Sequence, residues 1–403
     1  NPNAKPNILA SRVEKGIDLG AQPLPSEVAG KGPFAVRWEA DLTAPETGDY
    51  DIGLKGTGFF RVSVDDKQIA LSYGATKPEV KTGRVHLIKG VPAKLVIEYG
   101  QSSAEVAPFA QLVWAKYDPT PEPAAIAAAK KADVIVAVVG ITSELEGEEM
   151  PVSEPGFKGG DRTSLDLPRP EEELLKALSA TGKPLVVVLV NGSALSVNWA
   201  KDHANAILEA WYPGEEGGAA VADTLSGKNN PAGRLPVTFY TGVDQLPPFE
   251  NYFMRGRTYR YFTGVPLYPF GYGLSYTTFS YSDLTVPKEA VNAGDPAVVE
   301  ATVTNTGKVA GDEVAQLYLS FPNVAGAPVR ALRSFERVHL EPGASQKVRF
   351  ELKPRDMSMV TAEGDPIIPQ GDYTVSVGGG QPGTAAPVVT GIFHVEGTRM
   401  LPE

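Results

Sequence analysis

Residues 124–139 read Ala124-Ala125-Ile126-Ala127-Ala128-Ala129-Lys130-Lys131-Ala132-Asp133-Val134-Ile135-Val136-Ala137-Val138-Val139. Ala124–Ala132 reads as an Ala/Lys helix, because these residues lose little in a helical conformation. Val134–Val139 is a continuous apolar run, the pattern of a strand buried on both faces. Downstream, a second helix is expected from Pro170, with Glu171, Glu172 and Glu173 favourably placed against the dipole of its first turn. Leu185–Val190 is another fully apolar strand, Ala206–Ala210 a shorter one, and Gly217–Leu225 a further helix. Strands alternating with helices imply a parallel sheet with helical crossovers. Only about three parallel strands are legible, fewer than such sheets usually carry, so this block reads as part of a domain.

On either side the pattern is β. Phe34–Trp38 and Phe60–Val64 alternate in period two, and Lys94–Tyr99 is rich in strand formers. Glu46-Thr47-Gly48-Asp49, Asp65-Asp66-Lys67 and Ile88-Lys89-Gly90 supply turns between them, as in a β-barrel or sandwich. Asp118-Pro119-Thr120-Pro121-Glu122-Pro123 can hold neither a helix nor a ladder and reads as a linker. From residue 286 alternation returns in Ala297–Thr304, Glu313–Phe321, Gln346–Leu352 and Gly371–Val377, the pattern of an antiparallel sandwich. The expected fold class is multidomain α/β plus all-β. Its blocks are a β-barrel or sandwich over 1–118, a partial parallel α/β sandwich over 119–285 and a β-sandwich over 286–403.

Composition narrows the function. The 403 residues carry a formal net charge of −11 without a basic block, a poor surface for nucleic acid. No apolar run reaches about 18 residues, so no helical membrane span is expected. With no Cys and only four His, neither a thiolate nucleophile nor a transition-metal site is expected. The start, Asn1-Pro2-Asn3-Ala4-Lys5, shows no signal-peptide pattern, and the missing initiator Met fits either a processed product or a fragment.

The segment after the Val134–Val139 strand carries the chemistry. It runs Gly140-Ile141-Thr142-Ser143-Glu144-Leu145-Glu146-Gly147-Glu148-Glu149-Met150 and continues through Gly156-Phe157-Lys158-Gly159-Gly160-Asp161-Arg162 to Leu167-Pro168. A stretch of roughly 30 residues without periodicity is long for a strand-to-helix loop. It leaves the carboxyl end of a parallel strand, where open α/β sheets bind ligands. Four glutamates within six residues repel one another, and any that is partly buried would be held protonated, as a general acid requires. The alternative is a solvated acidic loop ordered by Lys158 and Arg162.

Other patterns carry less. Gly378-Gly379-Gly380 and Gly159-Gly160 lack the spacing of a phosphate loop, and Ser193 is not in a nucleophile elbow. Arg255–Arg260, beside aromatics, suits either carbohydrate stacking or packing, and His203 reads as a surface or satisfied residue.

These residues resemble the glycoside hydrolase family 3 β-glucosidases and β-xylosidases. Gly140–Pro168 looks like the family's acid/base loop. Asn230-Pro231-Ala232-Gly233-Arg234-Leu235-Pro236, Tyr259-Arg260-Tyr261-Phe262 and Pro266-Leu267-Tyr268-Pro269-Phe270-Gly271-Tyr272-Gly273-Leu274-Ser275-Tyr276 are similar to its signatures. The end of the chain, from Asn305-Thr306-Gly307 through Gly371-Asp372-Tyr373, resembles the family's fibronectin type III-like domain. The first block, with Phe34–Trp38 and Thr47-Gly48-Asp49-Tyr50, resembles the protective-antigen-like β-barrel of some members.

The resemblance implies a retaining mechanism with two carboxyl groups about 5–5.5 Å apart. Glu148 matches the acid/base position, with Glu146 the alternative two residues away. Asp161 and Arg162 would order the loop by a salt bridge, Arg162 also lying near the sugar, and a loop around Ser72–Lys81 would bring Tyr73 to the leaving-group side. The family's nucleophile is an Asp on a (β/α)₈ barrel, usually in an Asp-Trp context. These residues contain neither an Asp-Trp pair nor a barrel-sized βα repeat.

The implied activity is removal of terminal β-D-glucosyl residues from β-linked oligosaccharides or aryl glucosides. It needs an N-terminal (β/α)₈-barrel polypeptide, and this chain alone would be inactive. A β-xylosidase and a non-catalytic carbohydrate-binding protein stay open. A secreted or periplasmic location is expected, no cofactor or metal is called for, and a homo-oligomer is compatible with the sequence.

Overall fold

The computed structural model describes residues 8–402 except 30, 31, 103–105, 119, 121, 144, 148, 150, 151 and 153. The chain forms two compact units, one of Asn1–Ser164 with Pro168–Leu185, the other of Leu165–Leu167 with Val186–Glu403. The fold is mixed α/β plus all-β.

The first unit opens with β1 (Phe34–Thr43), β2 (Gly48–Val64), β3 (Lys67–Leu87), β4 (Pro92–Gln101) and β5 (Ala110–Lys116) in one antiparallel sheet. The long β2 makes this sheet fold over its own core. Its first half pairs with β5 and its second half with β4, while β3 follows it throughout. The change of partner falls at Gly56–Gly58, where the register shifts and Gly58 has φ 72°. A Cβ on Gly58 would sit 2.5 Å from the Gly100 carbonyl oxygen, so only glycine permits the bend. Ile52, Leu54, Phe60, Val62, Leu95 and Ile97 fill the interior. Asp65 and Asp66, both at positive φ, make the two-residue turn between β2 and β3. The expected loop at Ser72–Lys81 is instead an irregular stretch of β3, because β2 supplies pairing partners for Ser72, Tyr73, Ala75, Glu79, Val80 and Lys81, with register shifts between them.

The rest of this unit comprises α1 (Pro123–Lys131), β6 (Ile135–Gly140), a hairpin of β7 (Phe157–Lys158) and β8 (Asp161–Arg162), and α2 (Arg169–Ser179). Proline begins α1 and lies in the first turn of α2, and α2 buries Leu175 and Leu178. The expectation that Val134–Val139 is buried on both faces needs correction. Ile135, Ala137 and Val139 are buried, but Val134, Val136 and Val138 are 51%, 49% and 64% exposed. The run is apolar on two faces, and the chain covers one.

In the second unit β9 (Leu185–Val190) pairs in parallel with β10 (Ala206–Glu209) across α3 (Asn198–His203), and α4 (Gly217–Leu225) follows. On α3, His203 stacks on Trp199 at 4.5 Å and bonds to its carbonyl, a satisfied surface residue. The one-turn α5 (Thr258–Tyr261) packs its Tyr259 ring flat on Phe270 at 4.0 Å, so Tyr259 serves packing, while Tyr252 and Phe253 before it stay exposed.

The remaining strands are β11 (Phe279–Thr285), β12 (Val291–Asn292), β13 (Ala297–Asn305), β14 (Gly311–Ser320), β15 (Ala331–Leu340), β16 (Ser345–Leu352), β17 (Met359–Val360), β18 (Pro366–Ile368), β19 (Gly371–Gly378), β20 (Val388–Glu396) and β21 (Arg399–Met400). The order β11-β13-β16 forms one sheet and β12-β20-β19-β14-β15 the other. Val299, Leu317, Val348, Phe350, Tyr373 and Phe393 pack between them. Asn305, fully buried where β13 ends, donates to the Val309 and Leu340 carbonyls at 2.9 Å and accepts from Thr277 and Gly307.

Candidate active site

The expected acid/base segment follows β6, and its ends are tied to the first unit. The Gly140 amide, at the carboxyl end of β6, donates to Glu171 Oε2 at 2.8 Å. Burial raises the Glu171 pKa, and the Gly140 hydrogen bond partly offsets that rise. Glu171 therefore does more than complement the α2 dipole: it closes the mouth of the loop. Next the chain turns at Thr142, whose carbonyl accepts from the Leu145 and Glu146 amides. Glu149 has φ 47°, a left-handed conformation uncommon for a residue with a Cβ.

The far arm of the loop is the β7–β8 hairpin, with Phe157 opposite Arg162 and Lys158 opposite Asp161. Gly159 and Gly160 form its turn at φ 63° and 90°. Gly160 lies directly against Gly147, so closely that an added Cβ would be 1.4 Å from the Gly147 carbonyl oxygen. Glu154, at the start of this arm, pairs with Arg84 of β3: Nη1 to Oε2 is 2.7 Å. Burial raises the Glu154 pKa, and the charge of Arg84 opposes it. An open groove of about 640 Å³ runs beside this junction, lined in part by Lys67, Arg84, His86, Glu154, Phe157 and Lys158.

Glu148, the expected acid/base, lies outside the described residues. Its neighbour Gly147 is held against Gly160, and Glu146 is described at the turn over Thr142. Arg162 is half-buried in β8, with Nε donating to the Ser164 carbonyl at 3.0 Å and its guanidinium 5.9 Å from the Phe157 ring. Tyr73 stands 86% exposed on β3 opposite Phe59 and is not part of the groove lining, so Tyr73 and Arg162 are not brought together there. Among the described residues no group of three acidic or histidine side chains could hold a metal. Among the described residues no helix is long and apolar enough to cross a membrane.

Another perturbed carboxyl lies in the other unit. Burial pushes Glu209, at the end of β10, up to about 7, although the Trp211 amide (3.1 Å) and Asn191 Nδ2 (3.4 Å) donate to it. Each oxygen is taken by one of these donors, and Trp211 sits at φ 55°, so Glu209 fixes the turn after its strand. Sequence reading passed over it because a single Glu at the end of a short strand carries no pattern.

Comparison with known proteins places this arrangement. Residues 32–276 match the glycosyl hydrolase family 3 C-terminal domain, and residues 313–381 match the fibronectin type III-like domain. A xylan 1,4-beta-xylosidase of Xylanibacter ruminicola is 39% identical over 359 residues, covering 86% of this chain and 39% of that protein. A periplasmic beta-glucosidase of Salmonella typhimurium is 41% identical over 241 residues, covering 57% of this chain and 30% of that protein. The crystal structure of a beta-glucosidase from Kluyveromyces marxianus in complex with glucose aligns with TM-score 0.62 and 30% identity, covering 94% of this chain and 46% of that one. The chain thus spans less than half the length of these relatives. With the family domain matched across residues 32–276, most of its length, the chain belongs to glycoside hydrolase family 3.

Proposed function

We propose that this chain supplies the acid/base of a retaining, exo-acting β-glucosidase whose nucleophile lies on a (β/α)₈-barrel polypeptide. The observation that carries the reading is the tethered loop of a family 3 domain, with Gly147 pinned by Gly160 immediately before Glu148. Glu148 protonates the leaving glycosidic oxygen. It then takes the proton of the water that attacks C1 of the glycosyl-enzyme, releasing sugar of retained configuration. Arg162 and Tyr73 are the proposed sugar contacts, Arg162 at the hairpin and Tyr73 on the exposed face of β3. The first block shapes the leaving-group side. The exposed row of Val136 and Val138 on β6, with Val134 just before it, is where the barrel-bearing polypeptide adds cover, burying apolar surface that water now meets. The relative named periplasmic supports a secreted or periplasmic location.

The test is reconstitution. The chain should show no hydrolysis of 4-nitrophenyl β-D-glucoside alone and should gain it on one-to-one assembly with the barrel-bearing polypeptide. The corresponding β-xyloside is run beside it, and a preference of tenfold or more for the xyloside would make the enzyme a β-xylosidase. Sugar binding without hydrolysis by the assembled pair would leave a non-catalytic carbohydrate-binding protein.

A further inference from the structure

Arg84 is held from three sides. Its Nε and Nη2 donate to the two carboxylate oxygens of Asp51 on β2 at 2.9 and 3.1 Å. Its guanidinium lies 3.5 Å from the centre of the Tyr117 ring. That leaves Nη1, which reaches Glu154, 70 residues away in sequence. A guanidinium is a planar fork, so a bidentate carboxylate and a stacked ring fix the direction of the remaining N–H bonds. The Arg84 side chain is 10% exposed, but its partners Asp51 and Glu154 are 34% and 32% exposed, so solvent screens the carboxylates and the ion pairs add little to stability. Stability alone does not account for a charged junction where an apolar contact would serve.

From Glu154 a continuous path leads to Gly147, the residue that precedes the expected acid/base in sequence. The Phe157 amide donates to the Glu154 carbonyl at 3.2 Å, the Thr163 amide to the Gly156 carbonyl at 2.8 Å, and the hairpin carries Gly160 onto Gly147. We propose that Arg84 is a positioning residue: through Glu154 and the hairpin it anchors the segment bearing Glu148 to the five-stranded sheet. This rests on the reading of Glu148 given above.

The test separates proton transfer from other losses. In the assembled enzyme, kcat/KM is measured for cellobiose, whose leaving group needs a proton, and for 2,4-dinitrophenyl β-D-glucoside, whose leaving group departs without one. Glu154→Gln keeps the shape and removes the charge, and Arg84→Lys keeps the charge and removes the fork. Each should lower kcat/KM on cellobiose roughly 10- to 100-fold, as expected for a misplaced acid, and change the dinitrophenyl glucoside less than threefold. A purely structural role would lower both substrates together, and that outcome, or no loss on either, overturns the proposal. Glu148→Ala runs in parallel. If it shows the leaving-group dependence and both positioning variants do not, the positioning role fails and Glu148 stands. If Glu148→Ala itself shows none, the reading of Glu148 fails and the positioning role falls with it.

Discussion

Gly160→Ala should reduce turnover of the assembled enzyme roughly 100-fold or more, the scale of a misplacement of about 1 Å in a catalytic group. The methyl would meet the Gly147 carbonyl oxygen at 1.4 Å, and that oxygen belongs to backbone, which cannot swing aside as a flexible side chain can. One arm of the loop must move, and Gly147 is the residue that leads into Glu148. The left-handed φ of 90° adds strain of about 1–2 kcal/mol for a residue with a Cβ. Gly159→Ala is the control. Gly159 is also in the left-handed region, at φ 63°, but nothing lies within 4 Å of its added methyl, so it should lose little activity. Steady-state kinetics on one aryl glucoside decide it, and equal activities for the two variants would remove the Gly147–Gly160 contact from the account.

Glu313→Ala should destabilise the second unit by about 3–5 kcal/mol, the usual result of leaving one member of a buried ion pair without its partner. Arg234, from the signature Asn230-Pro231-Ala232-Gly233-Arg234, donates through Nη2 to Glu313 Oε2 at 2.8 Å, their side chains 10% and 3% exposed. Tyr281 donates to the other oxygen at 2.8 Å, and Arg234 Nε reaches the Gly379 carbonyl. Burial raises the Glu313 and Tyr281 pKa values, and both groups persist because each satisfies the other. Replacing the pair together, Arg234→Met with Glu313→Leu, should recover part of the loss, the Tyr281 hydroxyl losing its acceptor in both, which urea unfolding of the single and the double variant beside the wild type would show. A single-variant loss below about 1 kcal/mol would mean that water reaches Arg234.

Local signals in the sequence carried the regular elements well. Leu185–Val190 and Gly217–Leu225 stand where their apolar run and helix-forming composition put them, and Asn305-Thr306-Gly307 ends a sandwich strand as its turn chemistry implies. The sequence did not reveal what depends on distant partners. Arg84 and Glu154 are separated by three strands and a helix, and nothing near either residue names the other. Glu171 looked like a dipole-complementing residue, although its carboxylate is committed to Gly140. Gly159-Gly160 lacks the spacing of a phosphate loop and lies in the stretch that resembles the acid/base loop. Two glycines between Lys158 and Asp161 are also a hairpin signal, and that signal was available. The apolar run Val134–Val139 implied cover on both faces, a property of a whole sheet that the chain supplies on one.

The most direct measurement is the turnover of Glu148→Ala in the assembled enzyme on 2,4-dinitrophenyl β-D-glucoside, with and without sodium azide. The activated leaving group lets the glycosyl-enzyme form, and without a base its hydrolysis stalls. Azide, which needs no proton removed, should restore much of the rate and release β-glucosyl azide. Wild-type turnover in the variant, or a loss that azide leaves untouched while Glu146→Ala shows the rescue, would contradict the assignment of Glu148.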